Sequence, residues 1–316
     1  MTGRLAFLFP TYPMRRPLDC ATDAEYTDRF QYYVSKAAQL VDLDFGCVEK
    51  LEQEAADQLD VSWSEESAEH EAASWKVTIQ AHYLTFMESV TMAALHDSKS
   101  RRCDFVSGYS MGLYAALVHS GALSFERSLL LIRDTCAAAQ RLTPKLEYAA
   151  GAVVGSNARV VSELVHSVDG HLEVTDTYDA DTTLVTGTKN SVAELLALAT
   201  ARDGVDTRLI AMPAPFHTSA MADVSDEVRK LAHASSVQDP RYPIVSALTQ
   251  REVVSASMVC EEIADNVRFA MNWSSTMRKL VALGAREFVE CGMSTSLSEI
   301  AERDFPQIGS TAPMPS

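Results

Sequence analysis

The pentapeptide Gly108-Tyr109-Ser110-Met111-Gly112 constrains the fold of this chain more than any other feature of its sequence. The segment Asp104–Gly108 runs into it and predicts a short buried strand, and an alanine- and leucine-rich segment from about Met111 predicts a helix. A serine between two glycines at a strand-to-helix junction is typical of a nucleophile elbow, a sharp turn that exposes the serine hydroxyl above a sheet. The alternative is a glycine-rich turn that only packs a strand against a helix.

A serine hydroxyl is a weak nucleophile and requires a base, for which His217 is the candidate. His217 lies in Ala214–Ser219, just after the last strand of the middle region, where the chain returns to the part that holds Ser110. The other histidines lie on helical or exposed segments and are interpreted as structural: His70, His82, His96, His119, His166, His171 and His233. The sequence therefore predicts Ser110 and His217 as a catalytic pair.

The middle of the chain has a character of its own. Strand-like segments at 150–154, 171–174, 182–186 and 207–211 alternate with helical segments at 158–168 and 191–200. This β-α-β-β-α-β order predicts a small ferredoxin-like subdomain at 147–213. It is inserted in a large α/β domain that residues 1–146 and 214–316 form.

Flanking segments supply the elements of the large domain. Strands are predicted at 5–9, 243–247 and 287–290, and helices at about 24–40, 70–97 and 125–140. We expect residues 309–316 to form a frayed tail. The predicted class is therefore α/β.

Composition excludes some classes of function. The 316 residues carry a net charge of −16, which argues against nucleic acid as a partner. No stretch approaches the roughly 20 apolar residues that a membrane helix needs, and the apolar run at 5–9 is too short for a signal peptide, so we expect a cytosolic protein. The six cysteines are scattered without a Cys-x-x-Cys pair, which favours reduced thiols over disulfides or a metal site.

Several segments resemble the malonyl-CoA:acyl-carrier-protein acyltransferases and the acyltransferase components of polyketide synthases. They are Leu5–Pro10, the elbow with Tyr114–Leu117, Phe216-His217, Pro243–Ser246, Asn272-Trp273 and Leu283–Gly292. The resemblance implies an α/β-hydrolase-like large domain with an inserted ferredoxin-like subdomain, in agreement with the order of elements. It also implies acyl carrier protein and CoA thioesters as substrates, with no bound cofactor. A lipase or esterase would carry an early His-Gly-Gly-Gly loop, which the sequence lacks.

The resemblance also implies roles around Ser110. His217 would be oriented by a backbone carbonyl, which falls on Asn266 in this chain. The oxyanion hole would use the backbone N–H groups of Met111 and Tyr12. Pro13 follows where the family continues with a glycine, and it removes the next donor.

One departure from the family bears on the substrate. Members that carry malonyl groups bind the free carboxylate with an arginine on the helix after the elbow, since a guanidinium clamps a carboxylate in a bidentate manner. That position is Thr135 here. Arg133 is two residues away, about 200° around a helix, and should face elsewhere. We keep Arg133 as a candidate pocket residue with Thr135, Tyr109 (where the family has histidine) and Phe216.

An acidic carrier protein would need a local basic patch on this acidic chain. The candidates are Arg15-Arg16 and Arg101-Arg102, and the alternative is that these are ordinary solvated charges.

We therefore expect an acyltransferase that moves an uncarboxylated acyl group between thioester carriers, in polyketide or related secondary-metabolite biosynthesis. An editing hydrolase that removes acyl groups from carrier proteins would use the same two residues. A catalytically silent subunit that binds carrier proteins is a third hypothesis. The sequence does not identify the acyl group or the carrier.

Overall fold

The computed structural model describes residues 3–11, 24–46, 75–99, 101–293 and 295–311. Its strands are β1 (Arg4–Phe9), β2 (Phe105–Gly108), β3 (Tyr148–Val154), β4 (Leu172–Thr177), β5 (Thr182–Thr188), β6 (Asp206–Met212), β7 (Ile244–Val245), β8 (Glu252–Val253), β9 (Ala285–Glu290) and β10 (Gly309–Thr311). Its helices are α1 (Ala24–Ala37), α2 (Trp75–Ser98), α3 (Gly112–His119), α4 (Phe125–Leu142), α5 (Ala158–Ser167), α6 (Lys189–Thr200), α7 (Ala222–His233), α8 (Ala256–Asp265), α9 (Trp273–Ala282) and α10 (Ser296–Asp304). A 3₁₀ turn, Ser219–Met221, precedes α7.

The larger sheet has the strand order β10-β9-β1-β2-β7-β8. Its pairs are parallel except for β7 with β8. Phe9 is in register with Gly108, so β1 and β2 end at the same edge of the sheet. The residues that follow these strands, Pro10 and Tyr109, therefore lie side by side at the carboxyl edge.

Helices cover both faces of this sheet, because side chains of a strand alternate between its faces. Phe7 and Phe9 of β1 belong to a core with α2, α3, α4, α7 and α8, whereas Ala6 and Leu8 belong to a second core with α9 and α10. All four side chains are fully buried. A sheet buried on both faces explains why its strands read as continuous apolar runs in the sequence.

The smaller sheet has the order β4-β5-β3-β6, and all of its pairs are antiparallel. Its core includes apolar residues of α5 and α6. The elements between Tyr148 and Met212 follow the predicted β-α-β-β-α-β order. The edge strand β4 reaches the rest of the chain through a bridge between Asp176 and Met271.

The sequence-based expectation is wrong at the end of the chain. Residues Gly309–Thr311 form β10, which pairs with β9 in a parallel manner, and do not fray. Gly-Ser-Thr carries no apolar pattern, and the buried Ile308 just before it anchors the segment to the second core. Residues 312–316 lie outside the described part of the chain.

Two further expectations concern the whole chain. Among the described residues, no helix combines the length and the apolar character needed to cross a membrane. The cysteines in the described part are free and buried: Cys103, Cys136, Cys260 and Cys291.

Candidate active site

Ser110 lies on a tight turn between β2 and α3 and has a left-handed backbone, with φ of 51°. A non-glycine residue in this region is strained, and such strain is held only where the surroundings fix it. The amide of Tyr109 donates to the carbonyl of Phe9 (2.8 Å), which fixes the start of the turn. A Cβ at Gly108 would collide with the backbone of Leu113. Close approach thus requires glycine on the strand side of the serine.

The second glycine of the elbow is required for a different contact. A Cβ at Gly112 would collide with the carbonyl group of Phe9 and lie 2.7 Å from the carbonyl oxygen of Pro10. The start of α3 therefore packs directly on the backbone that leaves β1. The N-terminal end of α3 and the residues after β1 therefore lie in contact with each other next to Ser110.

His217 meets Ser110 at this turn. The Oγ of Ser110 and the Nε2 of His217 are 2.8 Å apart, a hydrogen-bond distance. His217 also has a left-handed backbone, with φ of 63°, and its amide donates to the carbonyl of Val267 (2.9 Å). The fold thus brings together two residues separated by 107 positions in the sequence.

The orienting carbonyl belongs to a residue other than the predicted one. The Nδ1 of His217 lies 3.2 Å from the carbonyl oxygen of Phe269, which corrects the prediction that named Asn266. Asn266 acts through its side chain instead: its amide Nδ2 donates to the carbonyl oxygen of Ser110 (3.0 Å). Carbonyl groups are present at every position of a loop, so the residue type carried no signal that would have distinguished Phe269.

Residues 266–273, which we call the clamp segment, therefore contact both partners of the pair. The segment connects α8 to α9, with Trp273 as the first residue of α9. Its Asn266 side chain holds the turn at Ser110, and its backbone holds His217.

The imidazole of His217 is kept neutral by its surroundings. Burial lowers the pKa of His217 to about 4, and the hydrogen bond with the Phe269 carbonyl opposes this shift. A neutral imidazole with its Nδ1–H on a carbonyl leaves the lone pair of Nε2 toward the Ser110 hydroxyl. The arrangement can take a proton from the serine, which is the requirement for a general base.

The backbone amide of Met111 marks the predicted oxyanion position. It donates to the hydroxyl of Thr11 at 3.3 Å, so Thr11 reaches this position from the end of β1. Sequence reasoning missed Thr11, although its place directly after Pro10 is where the first loop was expected to supply a donor. Tyr12, the predicted second donor, lies outside the described residues and stays a prediction.

Thr135 lies on α4 with 0% of its surface exposed. Its hydroxyl is 3.0 Å from the hydroxyl of Tyr114, which is on α3 one turn after Ser110. Arg133 does not share this location: it is exposed and pairs with Asp134 at 2.7 Å. The expectation that Arg133 faces elsewhere agrees with this position, and its inclusion among the pocket residues is wrong.

Phe216 and Tyr109 pack in different cores. Phe216 is half-buried and makes an edge contact with Trp75, the first residue of α2 (ring centroids 6.3 Å apart). Tyr109 belongs to the second core, where its ring packs against Trp273 and its hydroxyl donates to Asp176 (2.8 Å). The prediction that placed Tyr109 in the substrate pocket is therefore corrected, because its side chain points toward the smaller sheet.

Two of the four basic residues proposed to contact a carrier, Arg101 and Arg102, do not flank this site. Arg101 pairs with Glu287 and Arg102 is exposed; both precede β2. They lie at the amino edge of the larger sheet, whereas Ser110 is at the carboxyl edge. This location argues against the predicted carrier contact at Arg101 and Arg102, and Arg15 and Arg16 lie outside the described residues.

No cluster of three or more metal-ligating side chains occurs within the described ranges.

The Ser110 hydroxyl and the His217 imidazole are thus placed as a nucleophile and the base that could take its proton. The model of the family described as the acyl transferase domain matches residues 45–313. The chain belongs to this family of acyltransferases, which confirms the predicted family and class of enzyme.

Curated relatives and solved structures carry more specific names. The chain is 22% identical over 257 residues to a malonyl CoA-acyl carrier protein transacylase of Bacillus subtilis, covering 80% of this chain and 81% of that protein. It is 24% identical over 275 residues to the transacylase of the same name from Synechocystis, covering 85% and 89%.

The fold is shared with solved structures at low sequence identity. The malonyl CoA-acyl carrier protein transacylase of Coxiella burnetii superposes with a TM-score of 0.80 at 20% identity, covering 98% of this chain and 94% of that one. A malonyl-transacylase in complex with its type II PKS acyl-carrier protein superposes with a TM-score of 0.81 at 16% identity, covering 98% and 95%.

Proposed function

We propose that this protein transfers an acyl group from one thioester carrier to another through an acyl-enzyme on Ser110. The distance of 2.8 Å between the Ser110 Oγ and the His217 Nε2 is the observation that carries the proposal. The relatives named above act between CoA and acyl carrier protein, which supports the same pair of carriers here.

The reaction proceeds in two matched halves. His217 Nε2 takes the proton of the Ser110 hydroxyl while Oγ attacks the thioester carbonyl; the C–S bond then breaks, and His217 returns the proton to the leaving thiolate. In the second half His217 deprotonates the thiol of the acceptor, whose sulfur attacks the acyl-serine, and the proton goes back to Ser110. The Phe269 carbonyl stabilises the imidazolium that forms in each half.

The negative oxygen of the tetrahedral intermediate would lie at the N-terminal end of α3. The Met111 N–H points there, and the positive end of the helix dipole adds to it. An oxyanion would take the place that the Thr11 hydroxyl occupies at this N–H. We propose the Tyr12 N–H as the second donor.

We propose an uncarboxylated acyl group as the cargo. Thr135 and Tyr114 form a neutral, mutually satisfied pair at the position where the family places its carboxylate-binding arginine. Arg133 is turned to solvent and neutralised by Asp134. A carboxylate buried without a cationic partner loses several kcal/mol, so a malonyl group would bind poorly beside Thr135.

We further propose that the two sheets correspond to an α/β-hydrolase-like domain (1–146 and 214–316) and a ferredoxin-like subdomain (147–213). The Ser110–His217 pair would lie beside the junction of these two parts. The pathway context we propose is polyketide or related biosynthesis. Its support is the similarity to the malonyl-transacylase that was solved in complex with a type II PKS acyl-carrier protein.

The test is transfer between two carrier proteins of different mass. The enzyme is incubated with a first carrier that holds an acetyl, butyryl, longer-chain or malonyl group and with a second carrier in its thiol form, and intact masses are followed. We expect uncarboxylated groups to appear on Ser110 and then on the second carrier. Release of free acid without transfer would contradict the proposal and favour a hydrolase. Transfer with Ser110→Ala would contradict the acyl-enzyme.

A further inference from the structure

A buried carboxylate contacts the segments that hold the Ser110–His217 pair and takes no part in the steps above. Asp176, on the edge strand β4 of the smaller sheet, has 0% of its surface exposed. Its Oδ2 accepts the Tyr109 hydroxyl (2.8 Å), and its Oδ1 accepts the backbone N–H of Trp273 (3.1 Å). An ionised group in such a place is stable only where donors satisfy it, so its geometry is tightly defined.

Both donors belong to parts that position the reacting side chains. Tyr109 directly precedes Ser110 on the elbow. Trp273 ends the clamp segment, whose other end holds the Ser110 carbonyl and whose backbone holds His217. The two oxygens of Asp176 thus link the turn that bears the nucleophile to the segment that orients its base.

Further contacts fix the smaller sheet to the clamp segment at this point. The amide of Met271 donates to the carbonyl of Thr175 (2.9 Å), and the amide of Thr177 donates to the carbonyl of Met271 (3.4 Å). The ring of Tyr109 makes edge contacts with Trp273 and Tyr178, with centroids 5.5 and 5.4 Å away. Asp176 therefore sits at the centre of a junction among the elbow, the clamp segment and β4.

We propose that Asp176 is a positioning residue for acyl transfer, which holds the nucleophile elbow and the clamp segment at the spacing that the Ser110–His217 hydrogen bond requires. The smaller sheet, through Asp176 on β4, then contributes to the rate of acyl transfer by holding Ser110 and His217 in place. The proposal rests on the proposed function only in taking Ser110 as the nucleophile.

The test measures phosphonylation of Ser110 by a small alkyl fluorophosphonate, which needs no knowledge of the acyl group. The rate at saturation and the half-saturating concentration are determined separately for the full chain and for Asp176→Asn. The measurement is made at about pH 8.5, because burial raises the pKa of Asp176 to about 7 and the carboxylate is ionised there. We expect the saturating rate to fall about ten-fold with an unchanged half-saturating concentration, because a bond to a charged group is lost.

A matched control separates positioning from docking of the smaller sheet. Asp179, in the turn after β4, is also buried and pairs with Arg303 of α10 at 2.8 Å. Its described partners lie outside the elbow and the clamp segment. We expect Asp179→Asn to lower the melting temperature at least as much as Asp176→Asn but to leave the saturating rate unchanged.

Tyr109→Phe removes the elbow's donor while it keeps the aromatic ring, and it serves if Asp176→Asn does not fold. We expect the saturating rate of Tyr109→Phe to fall. The double variant, with Asp176→Asn and Tyr109→Phe combined, should be no slower than the slower single variant, because both substitutions remove the same hydrogen bond. An unchanged saturating rate in both single variants, or equal losses in Asp176→Asn and Asp179→Asn, would overturn the proposal. If Ser110 of the unmodified chain is not labelled, the proposed function itself fails, so the two failures are distinguishable.

Discussion

The Ser110–His217 pair and the Thr135 position differ in what holds their chemistry in place. Backbone groups and one amide position the pair: the carbonyls of Val267 and Phe269 and the side chain of Asn266. At Thr135 two hydroxyls satisfy each other and leave no charge. Main-chain carbonyls and one amide side chain therefore set the spacing of the pair, whereas we propose that the cargo depends on the side chain at position 135.

The largest effect is expected at the nucleophile. Ser110→Ala removes the only atom that can hold the acyl group in our scheme, so transfer should fall by about 10³-fold or more. The measurement is the initial rate of carrier-to-carrier transfer, with Ser257→Ala, an exposed serine on α8, as the control. Substantial transfer by Ser110→Ala would show that the acyl group never resides on this turn.

Thr135→Arg tests the second region, the Thr135 position, and its effect on the choice of cargo. An arginine at this position would offer a carboxylate its bidentate partner, and we expect the ratio of malonyl to acetyl loading to rise by roughly a hundred-fold. Thr135→Met, which adds length without charge, should leave this ratio unchanged. If Thr135→Arg folds and the ratio does not rise, the pocket has diverged at further positions.

The two regions should also differ in pH dependence. Burial in the folded state lowers the pKa of His217 to about 4. When the pH is below the ordinary pKa of histidine, the unfolded chain therefore binds a proton at His217 that the folded chain does not. The free energy of unfolding should therefore fall, relative to His217→Gln, by roughly 2.5 kcal/mol as the pH falls from about 6.5 to about 4.

The matched variant for this measurement is Thr135→Met, whose difference from the unmodified chain should not change with pH because no charge is altered. Denaturant titrations across the pH range give both differences. A His217→Gln difference that stays constant across this range would mean that the imidazole is not held neutral by burial.

A smaller effect is expected from the amide that holds the turn. Asn266→Ala removes the donor to the Ser110 carbonyl, and we expect the transfer rate to fall by about ten-fold with little change in half-saturation. Asn157→Ala, which removes an N-cap on α5 away from the site, controls for a general loss of stability. Equal transfer rates in the two variants would mean that the Asn266 side chain does not help to position the turn at Ser110.

The sequence predicted those features that side-chain pattern or residue type determines. The elbow followed from its two glycines, whose Cβ atoms would collide with neighbouring backbone, and the middle region followed from the alternation of its strands and helices. Phe269 could not be predicted, because its contribution is a carbonyl that every residue has. Tyr109 was misplaced because its direction depends on Asp176, 67 positions away. The strand at Gly309–Thr311 was missed because its partner, not its own composition, makes it a strand.

The most direct test of the central claim is a competition for Ser110. Equal concentrations of malonyl and acetyl thioesters of the same carrier are mixed with the enzyme, quenched at short times, and the mass added to Ser110 is read. We expect the acetyl adduct to form at least about ten times faster, because Thr135 and Tyr114 offer no cationic partner to a carboxylate. A malonyl adduct that forms as fast as the acetyl adduct would contradict it.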